Sequence, residues 1–270
     1  MSLRLDDDDD TTPTENSGMI ADLTATLVAS PLTVLEWASA SSAGVRRRVN
    51  EDAWGRRGNT FLVADGMGGR GGGALAARTA IDRFLARLDE EDAHPDWRRI
   101  VESVNTDVID VGRERGVDRL GTTLLVAVVG GPLVTLIHLG DSRAYRLTNL
   151  DDRPRLDLLT HDHNVRAELL AAGLDIGEYR DRGVALHGLT SFIGLELETL
   201  RIDVLAVPVR AGDRLVLCTD GVHRQLDDDQ IRTMLCLPGC QDAADRLVEQ
   251  ADQAGGRDNA TAIVLRVGVS

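Results

Sequence analysis

Thr60–Gly73 reads TFLVADGMGGRGGG, a short apolar run that closes on a carboxylate and opens into glycine. A run of this length, bounded by a turn signal, reads as a strand buried on both faces, Thr60 to Asp65, followed by a glycine-rich loop, Gly66 to Gly73. A helix is expected next. Ala77, Ile81, Phe84, Leu85 and Leu88 recur at helical spacing, with Arg78, Asp82, Arg83 and Arg87 on the other face. Trp97, Val101, Val104, Val108 and Val111 repeat the pattern in a second helix.

Outward from this unit, apolar runs predict strands over Gly121–Val129, Leu133–Leu139, Arg201–Val207, Asp213–Thr219 and Ala260–Val267. Two late helices are expected over about 227–236 and 241–254, the second with Ala244, Leu247, Val248 and Ala251 on one side. Asp227, Asp228 and Asp229 stand where the first would begin, which suits a helix dipole better than a metal. Helices, a block of strands and more helices predict two packed sheets with helices outside.

Composition narrows the function classes. With 43% hydrophobic and only 3% aromatic residues, aliphatic side chains must fill the core of this 270-residue chain. A formal charge of −14 repels nucleic acid and anionic membrane surfaces and concentrates cations. Three cysteines, Cys218, Cys236 and Cys240, form no Cys-x-x-Cys pair, so neither a disulfide framework nor a zinc site is expected. Residues 1–32, with the run Asp6–Asp10, read as a disordered acidic tail before one domain, 33–270. The segment Gly18–Trp37 is interrupted by Asp22 and Pro31, so no signal peptide or membrane span is expected and the location is read as cytoplasmic.

The chemistry is carried by where the aspartates fall. Asp65 ends a strand in Ala-Asp-Gly-Met-Gly-Gly, Asp141 ends another in Leu-Gly-Asp-Ser-Arg, and Asp220 ends a third in Leu-Cys-Thr-Asp-Gly. Asp258 lies in Gly-Gly-Arg-Asp-Asn, just before the last strand. Any one of them alone is more often a turn. As a set they read as carboxylates held rigidly at strand ends, and together they would repel one another unless cations neutralised them. Oxygen ligands without His or Cys point to Mg²⁺ or Mn²⁺.

From about residue 33 onward these motifs, in this order, resemble the type 2C family of metal-dependent serine/threonine protein phosphatases. The resemblance implies an α+β fold, a four-layer α-β-β-α sandwich of two antiparallel sheets flanked by helix pairs. It assigns Asp65 to bridging two Mn²⁺ or Mg²⁺ ions, the Gly66 carbonyl to one of them, and Asp220 and Asp258 to the same centre. Asp52, with Glu51 as the second candidate, would act through metal-bound water, and Asp141 would join Asp220 in holding a third, weaker ion. In Arg46-Arg47-Arg48-Val49-Asn50-Glu51-Asp52, Arg47 matches the arginine that grips the substrate phosphate, a task its planar fork suits. Gly121-Thr122-Thr123, Ser142 and Cys218 would be structural, and Asn259 would brace Asp258 and its loop.

The implied reaction is direct hydrolysis of phosphoserine or phosphothreonine by a water activated between two cations. The implied partners are phosphorylated proteins and a cognate kinase, with the enzyme a monomer. A catalytically inactive phosphoprotein-binding module and a two-metal hydrolase of small phosphate esters are the alternatives. Met67 stands where eukaryotic members carry a histidine acid, as it does in many bacterial members. Residues 173–192 correspond to the family's flap, with Ser191 where many members have Arg, so substrate recognition is expected to differ. His161-Asp162-His163 reads as a turn and helix cap, with Asp162 or Asn164 accepting backbone N–H bonds. His138 reads as core, while His187 and His223 lie close enough to the motifs to be weighed as substrate contacts.

Overall fold

The computed structural model describes residues 32–68, 72–88, 95–117, 120–150 and 153–269. The expected tail therefore lies outside the described residues, except Leu32, which pairs with Val269 as the first residue of strand β1 (Leu32–Ser42). The chain continues through β2 (Asp52–Arg57), β3 (Thr60–Met67), helices α1 (Gly72–Arg87) and α2 (Trp97–Arg115), and strands β4 (Gly121–Thr122), β5 (Leu124–Gly130), β6 (Leu133–Leu139), β7 (Arg143–Leu150) and β8 (Arg153–Leu158). Short helices α3 (Val165–Ala171) and α4 (Ile176–Asp181) lead to β9 (Asp203–Pro208), β10 (Arg214–Cys218), α5 (Asp220–His223), α6 (Asp228–Leu235), α7 (Cys240–Gln253) and β11 (Ala260–Val269).

One sheet has the order β1-β11-β10-β7-β8; the other has β2-β3-β5-β6-β9, with β4 pairing β3. All pairings are antiparallel. Strict alternation of side chains explains why the central strands are continuously apolar. Phe61 and Val63 of β3 meet Ile263 and Leu265 of β11 in the core between the sheets. Leu62 and Ala64 face the other way, onto Ile81, Phe84 and Val104 of α1 and α2. Across the molecule, Val216, Ala262 and Val264 pack on Leu235 and Leu247 of α6 and α7. The result is the expected α-β-β-α layering.

Several boundaries differ from the sequence reading. β3 runs on through Gly66 and Met67 because these pair with Thr122 and Gly121, and α1 already begins at Gly72. Residues 69–71 of the expected glycine loop lie outside the described residues. The run Gly121–Val129 is two strands, because the Thr123 N–H turns to the Asp65 carbonyl at 2.9 Å. Asp227 caps α6 in a full capping box with Gln230, as its place before an acidic first turn suggests. Among the described residues no helix is long and apolar enough to cross a membrane.

Candidate active site

Asp52 and Asp65 are cross-strand partners of β2 and β3, and their neighbours Ala53 and Ala64 face the helices. Alternation then turns both carboxylates to the other face, toward the opposing sheet. Like charges directly opposite in a ladder destabilise it, so this pairing is a cost that must be met by a ligand or a proton. The backbone of Asp65 is fixed on every side. Thr122 Oγ1 and the Thr123 N–H donate to its carbonyl, and its own N–H donates to Thr123 Oγ1 at 2.8 Å. Thr123 Oγ1 also meets Ser142 Oγ at 2.8 Å, tying this strand end to the loop that carries Asp141.

The opposing sheet delivers the other carboxylates. Asp220 opens α5 directly after β10, and Asp258 immediately precedes β11's approach. Thr219 and Thr261, neighbours across β10 and β11, both donate to Asp52 Oδ2, at 2.8 and 2.7 Å. Asn259 accepts from the Glu51 N–H and donates to the Ala43 and Val49 carbonyls, so one side chain closes the 43–51 loop that presents Arg47. Arg47 Nη2 in turn lies 2.9 Å from Asp258 Oδ2. Gly66 and Gly73 touch backbone to backbone: a Cβ on Gly66 would fall 2.0 Å from the Gly73 oxygen and 2.6 Å from the Glu51 oxygen.

A cavity of about 310 Å³ opens over this arrangement, with Arg47, Glu51, Asp65, Gly66, Asp141, Asp220 and Asp258 in its wall. Of the sequence-derived site residues, only Asp52 is set back from the wall. Burial, then the charges of Asp52, Asp220, Asp141 and Asp258, drive the Asp65 carboxyl well above its ordinary range. Burial also carries Asp52 up to about 7 and Asp141 up to about 6, and raises Asp220. Two like charges about 4 Å apart repel by on the order of 4 kcal/mol at an effective dielectric near 20. Asp52 Oδ1 and Asp220 Oδ1 are buried with no hydrogen-bond partner. Crowded, unpartnered oxygen donors on rigid strand ends fit hard divalent cations.

Other groups resolve into structural roles. Asn164 caps α3 by accepting from the Ala167 N–H, while Asp162 is instead bound bidentate by Arg143, at 2.8 and 2.9 Å. His223, its pKa depressed to about 3 by burial, directs Nε2 to the Asp141 carbonyl at 2.8 Å and is absent from the cavity wall. His187, from the flap-like segment, does reach that wall. Ser191 is buried and bonded to both backbone groups of Arg201, so its hydroxyl is engaged within the loop. Burial lifts the Cys218 thiol to about 12, which suits core packing and not nucleophilic attack.

His138, His163 and Asp203 bring ligand atoms within 4.8 Å of one another. The Gly140 N–H points at His163 Nδ1, which places the ring proton on Nε2, facing Asp203 at 3.1 Å. In that tautomer the nitrogen nearest Asp203 has no lone pair for a metal. Sequence reasoning missed Arg224. Its guanidinium reaches Asp141 Oδ2 and Asp220 Oδ2, each at 2.6 Å. The i,i+4 step from Asp220 was a usable signal; the 83-residue separation from Asp141 was not.

Comparison with known proteins agrees with this geometry. The family model "Protein phosphatase 2C" matches residues 41–259. The serine/threonine protein phosphatase PstP of Mycobacterium tuberculosis is 31% identical over 246 residues, covering 87% of this chain and 45% of PstP. The serine/threonine phosphatase Stp of Listeria monocytogenes is 30% identical over 214 residues, covering 76% of this chain and 82% of Stp. The chain thus spans about half the length of PstP, at 45%. Among solved structures, the PstP catalytic domain in complex with two manganese ions superposes with a TM-score of 0.72 at 30% identity, covering 88% of this chain and 99% of that one. The Mycobacterium smegmatis phosphatase MsPP, in complex with cacodylate, superposes with a TM-score of 0.74 at 32% identity, covering 87% and 99%. In sequence, in fold and in the convergence of its strand-end aspartates, the chain belongs to the protein phosphatase 2C family.

Proposed function

We propose that this chain hydrolyses phosphoserine and phosphothreonine in proteins, using a pair of divalent cations, with residues 33–270 as the catalytic domain. The observation that carries the reading is the meeting of Asp52, Asp65, Asp220 and Asp258 from two opposed sheets, with buried oxygens that have no protein partner. Asp65, the Gly66 carbonyl, Asp220 and Asp258 would hold the two ions, Mn²⁺ or Mg²⁺, with Asp52 and Glu51 reached through water. When bound, such ions supply Lewis acidity that brings a water's pKa toward neutrality. The chain's own contribution is placement. Thr219 and Thr261 fix Asp52, Thr122 and Thr123 fix the Asp65 backbone, and Asn259 fixes the loop that aims Arg47. Arg47, 47% exposed at the cavity mouth, is free to exchange Asp258 for phosphate oxygens.

Retention of every one of these carboxylates disfavours an inactive binding module. The substrates are phosphorylated proteins, the opposing enzyme a cognate kinase, and the working form a cytoplasmic monomer. A phosphothreonine peptide assayed with Mn²⁺ and after chelation tests the reading. Turnover should require added metal, should be nearly abolished in Asp65→Asn and Asp220→Asn, and should show weakened phosphate engagement in Arg47→Ala. Metal-independent turnover that survives both aspartate changes would refute it.

A further inference from the structure

Arg224 is the cation that the site supplies for itself. One guanidinium nitrogen lies 2.6 Å from Asp141 Oδ2 and another 2.6 Å from Asp220 Oδ2, so the planar group spans the gap between the two carboxylates. Both are almost fully buried, Asp141 at 4% and Asp220 at 9% side-chain exposure, while Arg224 keeps 32% and closes the gap from the solvent side. The arginine is placed by the short helix that Asp220 opens: Arg224 is four residues on, and its N–H donates to the Asp220 carbonyl at 2.9 Å. His223, its neighbour, holds the Asp141 carbonyl at 2.8 Å. One helical turn therefore locks both backbone and side chain of Asp141 against Asp220.

We infer that Arg224 occupies the position a third divalent ion would need, so that the site binds two ions and not three. The inference rests on the two-ion reading above and departs from the resemblance, which would give Asp141 and Asp220 a shared third ion. That ion does not fit here, because the oxygens that face each other across the gap are already engaged by a tethered cation. An arginine attached four residues from one ligand competes at high effective concentration, against which a weakly held ion is at a disadvantage. Asp52 and Asp65, by contrast, have no arginine on their carboxylates among the described contacts, and there the need for external cations stays.

Equilibrium dialysis and titration calorimetry with Mn²⁺ alone, on the full chain, test this without reference to turnover. Wild type should bind two ions per chain, and Arg224→Lys should do the same. Arg224→Ala and Arg224→Gln should bind three, the added ion at least about tenfold tighter than any third ion in wild type, the ratio that even one of the two charge-assisted contacts removed would give. The double variant Arg224→Ala, Asp141→Asn should return to two. Removing Arg224 leaves two buried carboxylates unpaired. Thermal unfolding should therefore show a larger Mn²⁺-dependent rise in melting temperature for Arg224→Gln than for wild type, a readout that remains if Arg224→Ala does not fold. Three ions in wild type with the third lost in Asp141→Asn, or two ions in Arg224→Gln, overturns the inference. No ion bound by wild type refutes the two-ion reading itself, and this inference with it.

Discussion

Replacing Asp52 by Asn in the metal-free protein should make its stability advantage over wild type depend on pH. The Asp52 carboxyl titrates near 3.8 in an unfolded chain and at about 7 in the fold, raised chiefly by burial, then by Asp220 and Asp258 against the bonds from Thr261 and Thr219. The folded protein thus keeps a proton that the unfolded chain has released, and wild-type stability falls as pH rises toward the folded value. Between about pH 5.5 and about pH 7 that loss is about 1.7 kcal/mol, and it levels off only about one pH unit above the folded value. Asn carries no charge at any pH and can still accept from both threonines. His138 and His223, depressed to about 3 by burial, pull in the opposite direction below neutral pH, but they are common to both proteins and cancel in the difference. Loss of the Asp52 charge also relieves Asp65, which acts in the same direction. After chelation, thermal unfolding across this window should show the melting difference, Asn minus Asp, growing by about 4–8 °C. Saturating Mn²⁺ should remove that trend, since metal displaces the protons. A difference that stays constant with pH would refute the claim that Asp52 is buried against like charge.

Gly66→Ala should lose metal binding and on the order of 3 kcal/mol or more of stability, because its Cβ would lie 2.0 Å from a backbone oxygen that no side-chain rotation can move; urea unfolding and Mn²⁺ titration measure both. Asn259→Ala removes three bonds to the 43–51 loop and should cost about 2–3 kcal/mol while raising KM more than it lowers kcat, since Arg47 loses its seat. Thr261→Val deletes a 2.7 Å donor to Asp52 and should weaken Mn²⁺ binding by about tenfold without altering the fold, as seen by calorimetry and circular dichroism.

The sequence made the central strands and the strand-end aspartates legible for the same physical reason. A strand buried on both faces must be apolar throughout, so β3, β5, β6, β10 and β11 stand out, and a lone carboxylate at the end of such a run is conspicuous. Strands with one polar face carried a weaker signal. β7, reading RAYRLTNL, buries Ala144, Tyr145 and Leu147 yet places Arg143 and Arg146 on ion pairs with Asp162 and Asp157. β1 and β2 were obscured in the same way: Glu36 pairs with Arg266 and Arg56 lies over the Trp37 ring, so neither run is continuously apolar.

The site's second layer was hidden for a different reason, and that layer decides how the carboxylates behave. Asp52 owes its position to Thr219 and Thr261, 167 and 209 residues away, and Arg47 owes its own to Asn259, whose partners lie 208 to 216 residues upstream. A local pattern cannot express such contacts; only the antiparallel register of β10 with β11 and the closure of the two sheets bring them together. Motif spacing therefore located the acids but left their charge balance open. Arg224 illustrates the gap: its i,i+4 spacing hints at Asp220, but nothing local ties it to Asp141, 83 residues away, and only between the two does it bear on how many ions the cluster can accept.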